Sequence, residues 1–178
     1  MKGGRSLLLA ALVGGMAAWM PLRAAAPSEE EVKAAVAVNV LQFVKWPAGA
    51  LAAGRPLTLC ASESGSIAKL LARFGGTRID DRTLAFKFLN RHLDGLDDCQ
   101  AIFVAAGDPY AVLRVSAATH GKPILLIAEG DRALDQGAGV AVSLAGSHVV
   151  IDVDLAGLNA AGLMVSSKLL RLARTVIK

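Results

Sequence analysis

The sequence predicts a single α/β domain built on a mostly parallel sheet, with an antiparallel edge hairpin and helices on both faces. Three observations carry this. Ala101–Ala105 and Ile124–Ala128 are short, wholly apolar runs, as strands buried on both faces require. Strand-like and helix-like stretches alternate between Leu57 and Ala128, the pattern of parallel strands joined by crossover helices. Val140–Leu144 and His148–Val153 then flank Ala145-Gly146-Ser147, a hairpin signature. Composition agrees. The 178 residues are 54% hydrophobic and 19% charged, too apolar for a disordered chain and numerous enough to bury a core. No internal repeat, low-complexity segment or interdomain linker divides them.

Residues 1–26 read as a secretory signal, leaving 27–178 as the folded domain. Lys2 and Arg5 supply the positive start, Leu7–Met20 the apolar run, and Pro21 ends it. Cleavage is expected near Ala24–Ala26. The alternative is an uncleaved anchor, but fourteen helical residues span only about 21 Å, short of a hydrocarbon core of roughly 30 Å. Without Lys2, Arg5 and Arg23, the 19 cations fall to 16 against 15 acids. The basic character therefore belongs to the signal and does not argue for nucleic acid. Export places the protein in the periplasm, an oxidising compartment. There Cys60 and Cys99 suggest a disulfide, with buried free thiols as the alternative.

The elements follow in order. Ser28 and Glu31 have capping-box spacing at the start of a helix, which Pro47 limits to about Lys45. Its apolar positions recur as Val32, Ala35, Val36, Val40, Phe43 and Val44. Leu57–Ala61 is the first strand. Ser64 or Ser66 caps a helix reaching Phe74, which Gly75-Gly76 stops. Leu84–Leu89 alternates as a strand. Asp108-Pro109 opens a helix to about His120. Gly130–Gly139 is loop or short helix. Two helices close the chain, at about Leu155–Ala161 and Leu163–Ile177. In a doubly wound sheet ordered 2-1-3-4, the strands at 57–61 and 101–105 are neighbours, close enough for Cys60 and Cys99 to bridge.

No nucleotide-binding glycine loop, nucleophile elbow or zinc-protease signature is present. His92, His120 and His148 lack metal-ligand spacing. Asp80-Asp81 and Asp97-Asp98 read as turn residues, and Asp152 and Asp154 as solvent-facing strand positions. No catalytic residue, metal site or cofactor is expected. Ser62, Ser64 and Ser66 lie where the first strand passes into a helix, a place where backbone amides can hold an anion. The last helix carries an apolar stripe (Val165, Leu169, Leu172, Ala173, Val176) opposite Lys168, Arg171, Arg174 and Lys178. That is an ordinary surface helix or a basic face toward an acidic partner. Trp46, beside Pro47, fits a core edge or a contact hot spot.

Val32–Pro47 (VKAAVAVNVLQFVKWP) resembles the opening signature of the YfiR family of small periplasmic proteins, and Gly162–Arg174 (GLMVSSKLLRLAR) its closing one. LTLCASE and DDCQAIFVAA place Cys60 and Cys99 where that family keeps a cysteine pair. GKPILLIAE and Gly137-Ala138-Gly139 fit its middle. The chain departs from the family pattern in several places. Val36, Val38 and Val40 stand where aromatic residues are usual. Ala133-Leu134 occupies the place of a Phe, Ala138 breaks the glycine pair, Asp154 replaces a common Asn, and a second disulfide is absent.

The resemblance implies a non-enzymatic, homodimeric periplasmic regulator. It would repress a membrane-anchored diguanylate cyclase through that partner's periplasmic domain, lowering cyclic di-GMP and biofilm formation. Partner contacts are then expected at Phe43, Lys45, Trp46 and Pro47, and at Ser166, Ser167 and Arg171. The alternative is a periplasmic sensor of a small ligand, with its pocket at Ser62, Ser64 and Ser66.

Overall fold

The computed structural model describes residues 26–52, 54–62, 65–107 and 111–178. Most of the expected signal segment, Ser64 and the Asp108-Pro109 helix start lie outside these residues.

Helix α1 spans Glu29–Val40. Its capping box is complete: the Glu31 amide donates to Ser28 Oγ at 3.2 Å and the Ser28 amide to Glu31 Oε2 at 2.8 Å. The Ser28 amide and hydroxyl hold the Glu31 carboxyl below its ordinary pKa. The helix stops earlier than its apolar spacing suggests. Leu41–Phe43 tightens into a 3₁₀ turn and Val44–Lys45 is a short strand, β1. The buried side is also rotated, to Lys33, Ala34, Ala37, Val38 and Val40.

The main sheet contains β2 (Leu57–Ser62), β3 (Arg78–Ile79), β4 (Arg82–Leu89) and β5 (Ala101–Val104). It continues with β6 (Leu125–Glu129), β7 (Val140–Ala145), β8 (His148–Asp154) and β10 (Thr175–Ile177). Its order is β10-β8-β7-β6-β5-β2-β4-β3. The run β4-β2-β5-β6 is the expected 2-1-3-4 order, and all of its pairs are parallel. The expected hairpin is β7–β8, with Ala145 opposite His148. A further strand, β10, lies outside it in parallel with β8. At the opposite edge β3 pairs antiparallel with β4. Strand β9 (Met164–Val165) leaves this sheet and pairs with β1.

Helices cover both faces. Helix α1 and α2 (Ser66–Ala72) bury Ala37, Ile67 and Leu71 against Leu59, Phe103 and Val140. On the other face α3 (Ala111–Thr119) buries Val112 and Val115 against Ile102, Leu126 and Ala141. Helix α2 begins after Gly65, which has no side chain to cap it, and Ser66 lies inside the helix and does not cap it. Ser66 is its first residue and instead donates from Oγ to Glu30 Oε1 at 2.5 Å. Gly139 explains part of the glycine motif: a Cβ there would lie 2.4 Å from Leu158 Cδ2, on α4 (Leu155–Ala160).

The chain's last stretch differs most from expectation. Helix α5 covers only Ser167–Leu172, and the backbone then extends into β10. The β-branched run Thr175-Val176-Ile177 finds a ladder partner in Asp152–Asp154, which outweighs continuation of the apolar stripe as helix.

Candidate functional site

The two segments singled out at opposite ends of the sequence meet in space. Strand β1 pairs antiparallel with β9, placing Val44 opposite Val165 and Lys45 opposite Met164. The Ser166 amide donates to the Phe43 carbonyl at 2.8 Å. Gly162 brings the backbone close to Pro47, whose Cγ would stand 3.5 Å from a Cβ there. Phe43–Pro47 and Ser166–Arg171 therefore border one continuous face.

Within that face the aromatic residues secure the ribbon. Phe43 and Trp46 are half-buried and pack on the core under α1 and α2. The Trp46 indole N–H donates to the Gln100 carbonyl at 3.1 Å. Gln100 is itself fixed, since its side-chain oxygen accepts the Thr58 amide at 2.9 Å. Trp46 thus ties β1 to the segment that carries Cys99. Ser166 half-buries and caps α5, accepting the Lys168 amide at 3.2 Å. Leu169 points inward and is fully buried.

The outward groups are Lys45, Ser167, Lys168 and Arg171, all exposed, beside two large apolar side chains. Met164 is 62% exposed and Leu172 66% exposed. A small cavity of about 330 Å³ continues the face between Trp46 and the Asp80–Arg82 turn.

Arg174 does not join this cationic face. It lies beyond α5, where its Nε donates to Asp152 Oδ1 at 3.0 Å and its Nη2 reaches Asp152 Oδ2 and Asp131 Oδ1. Asp152 is buried and does not face solvent, a correction to its sequence reading. The guanidinium beside it holds its carboxyl below the usual carboxylate range. Asp131 is lowered by the Ser143 hydroxyl and by Arg174. Asp154 is the N-cap of α4, its Oδ1 accepting the Gly157 amide at 2.9 Å.

Periodicity also hid a buried lysine. Lys33 faces inward from α1, with Nζ 2.5 Å from Glu129 Oε1 and in contact with Glu29. Burial opposes its charge, but the Glu129 and Glu29 carboxylates prevail and raise its pKa. Glu129 also accepts the Ala106 amide at 2.9 Å, linking α1 to the end of β5.

Cys60 and Cys99 form a disulfide, with Cα atoms 5.8 Å apart, across the neighbouring strands β2 and β5. Ser62 stands at the carboxyl end of β2 and lines a crevice of about 770 Å³, whereas Ser66 is engaged by Glu30. Among the described residues no cluster of His, Cys, Asp or Glu could hold a metal, and no helix is long and apolar enough to cross a membrane.

A solved structure described as an ABC domain in complex with L-Trp from Streptococcus pneumonia shares this fold. Its TM-score is 0.58 at 11% identity, over 82% of this chain and 62% of that one. The chain thus spans about three-fifths of that protein's length. No individual curated protein matches in sequence. The YfiR/HmsC-like family profile matches residues 30–174, from α1 to the arginine that clasps Asp152, and the chain belongs to that family.

Proposed function

We propose that this protein is a periplasmic regulator that represses a membrane-anchored diguanylate cyclase by direct contact with its periplasmic domain. It acts without chemistry of its own, and as a homodimer. Family membership supports the class of function. The observation that carries the contact reading is the shared face of β1, β9 and α5, where Met164 and Leu172 stand exposed beside Lys45, Lys168 and Arg171. Such a face suits a partner surface with apolar pockets ringed by acids. A repressor must bind the inactive state of its partner better than the active one, and a rigid ribbon can read a difference in shape.

Cellular cyclic di-GMP, measured with and without the gene, tests this. Deletion is expected to raise it. The full chain should restore the low level, and a form lacking residues 1–26 should not. An unchanged level across growth conditions would overturn the reading. Sedimentation of the purified protein should give twice the chain mass, and a monomer at all concentrations would refute the dimer.

A further inference from the structure

From neighbouring strands the chain leaves in opposite directions: β2 exits through α2 toward β4, and β5 exits toward α3 and β6, with the two helices on opposite faces. Where a parallel sheet reverses its strand order, the connections diverge at the carboxyl ends and leave a crevice. The crevice of about 770 Å³ lies at this point, between the ends of β2 and β5. Its volume falls in the range of small-molecule sites, roughly 300–1,000 Å³.

Its walls are differentiated. Leu89, Leu93, Val104 and Ala111 provide apolar surface. Arg91 and Arg114 provide positive charge, and Arg91 has no hydrogen-bond or ion-pair partner among the described residues. Arg91 is not on a loose loop. The Asn90 side chain accepts the His92 and Asp94 amides at 3.0 and 3.2 Å and donates to Asp94 Oδ2 at 2.8 Å. The same loop holds Leu93 in the left-handed region, at φ 59°, which disfavours a branched side chain. Gly65 and Gly107 line the crevice too, at φ 129° and 133°, with open space where a Cβ would be. Only glycine adopts such angles readily, so bare backbone is presented there.

We propose that this crevice binds a compact organic anion, an oxyanion headgroup on an apolar body, with Arg91 as its counter-charge. The headgroup, carboxylate or phosphate, accepts from the guanidinium, and the body lies against Leu93, Val104 and Ala111. The crevice is distinct from the β1–β9 face, so the proposal stands whether or not the cyclase reading does.

The test uses the purified, disulfide-bonded protein titrated with phenylacetate, phenyl phosphate and neutral phenylacetamide, followed by calorimetry and amide NMR. At least one anion should bind saturably while the amide does not. NMR shifts should gather at Ser62, Arg91 and Ala105–Gly107. Exposed Arg91→Ala, its folding verified by an unchanged melting curve without ligand, should weaken binding about tenfold or more. Preference for one anion supports the proposal and identifies the headgroup. Failure of both anions to bind, equal binding by Arg91→Ala, or shifts gathered elsewhere would each overturn it.

Discussion

The middle of the sheet and the chain's last fifteen residues are fastened in different ways. Strands β2 and β5 are buried on both faces and tied by the Cys60–Cys99 disulfide. Residues 164–178 touch the body through the two-residue β9, the three-residue β10 beside β8, one fully buried side chain at Leu169, and the Arg174–Asp152 pair. The centre depends on apolar burial and a covalent bond. The tail depends on a few separable contacts, and it carries the exposed Met164 and Leu172. The most strongly fastened region and the face on which partner contact is proposed thus lie in different parts of the molecule.

The sharpest way to break that contrast is at the centre. Replacing both cysteines with alanine removes a crosslink between residues 39 apart in sequence. Chain entropy puts the loss at about 4 kcal/mol, read from the shift in denaturation midpoint. In the tail, Leu169→Ala should cost about 3 kcal/mol by the same measurement, because its site is fully enclosed. Arg174→Met leaves the buried Asp152 without its cation. A smaller drop in the same midpoint than for Leu169→Ala is expected, because the arginine itself is partly exposed and solvent screens the pair.

That pair also sets an acid dependence. Asp152 titrates below its ordinary range when folded, so its contribution is complete above the unfolded carboxylate pKa, about 3.9. It is lost as pH falls through the lower folded value. Melting temperature against pH should therefore fall less steeply on the acid side for Asp152→Asn than for the parent. The smallest stability effect, within about 0.5 kcal/mol, is expected for Met164→Ser and Arg171→Glu. These same changes should abolish repression, measured as raised cyclic di-GMP. A destabilised but repressing surface variant would erase the distinction between the two regions.

Much of the centre was legible in the sequence because its signals are local. Ser28 and Glu31 predict their own capping box, Ala101–Val104 reads as a doubly buried strand, and strand order brings Cys60 near Cys99. The tail was misread because its signals are not local. Val165, Leu169, Leu172 and Val176 satisfy helical spacing, yet Ala173 turns extended and Thr175–Ile177 joins β8. Asp152 looks solvent-facing until Arg174 arrives from that new strand. Lys33 drew no attention in the sequence because its partner Glu129 lies 96 residues away. Of the face proposed for contact, Trp46 and Ser166 were each recognisable, but their adjacency rests on a two-residue ribbon that leaves no periodic trace. The crevice was visible only as Ser62 at a strand end, since Arg91 and Leu93 approach it from a loop after β4.

The ribbon also governs when the molecule can finish folding. Strand β1 comes immediately after the first helix, and its partner β9 comes just before the last. A chain released from its N-terminus onward can assemble β2, β4, β5 and β6 early, but β1 must wait until residue 165 has emerged. Joining two ends so distant along the chain is a slow closure, made late and against a large entropy of search. Until then the face on which partner contact is proposed is incomplete. Only a chain delivered through residue 172 can present the ribbon together with the exposed Leu172.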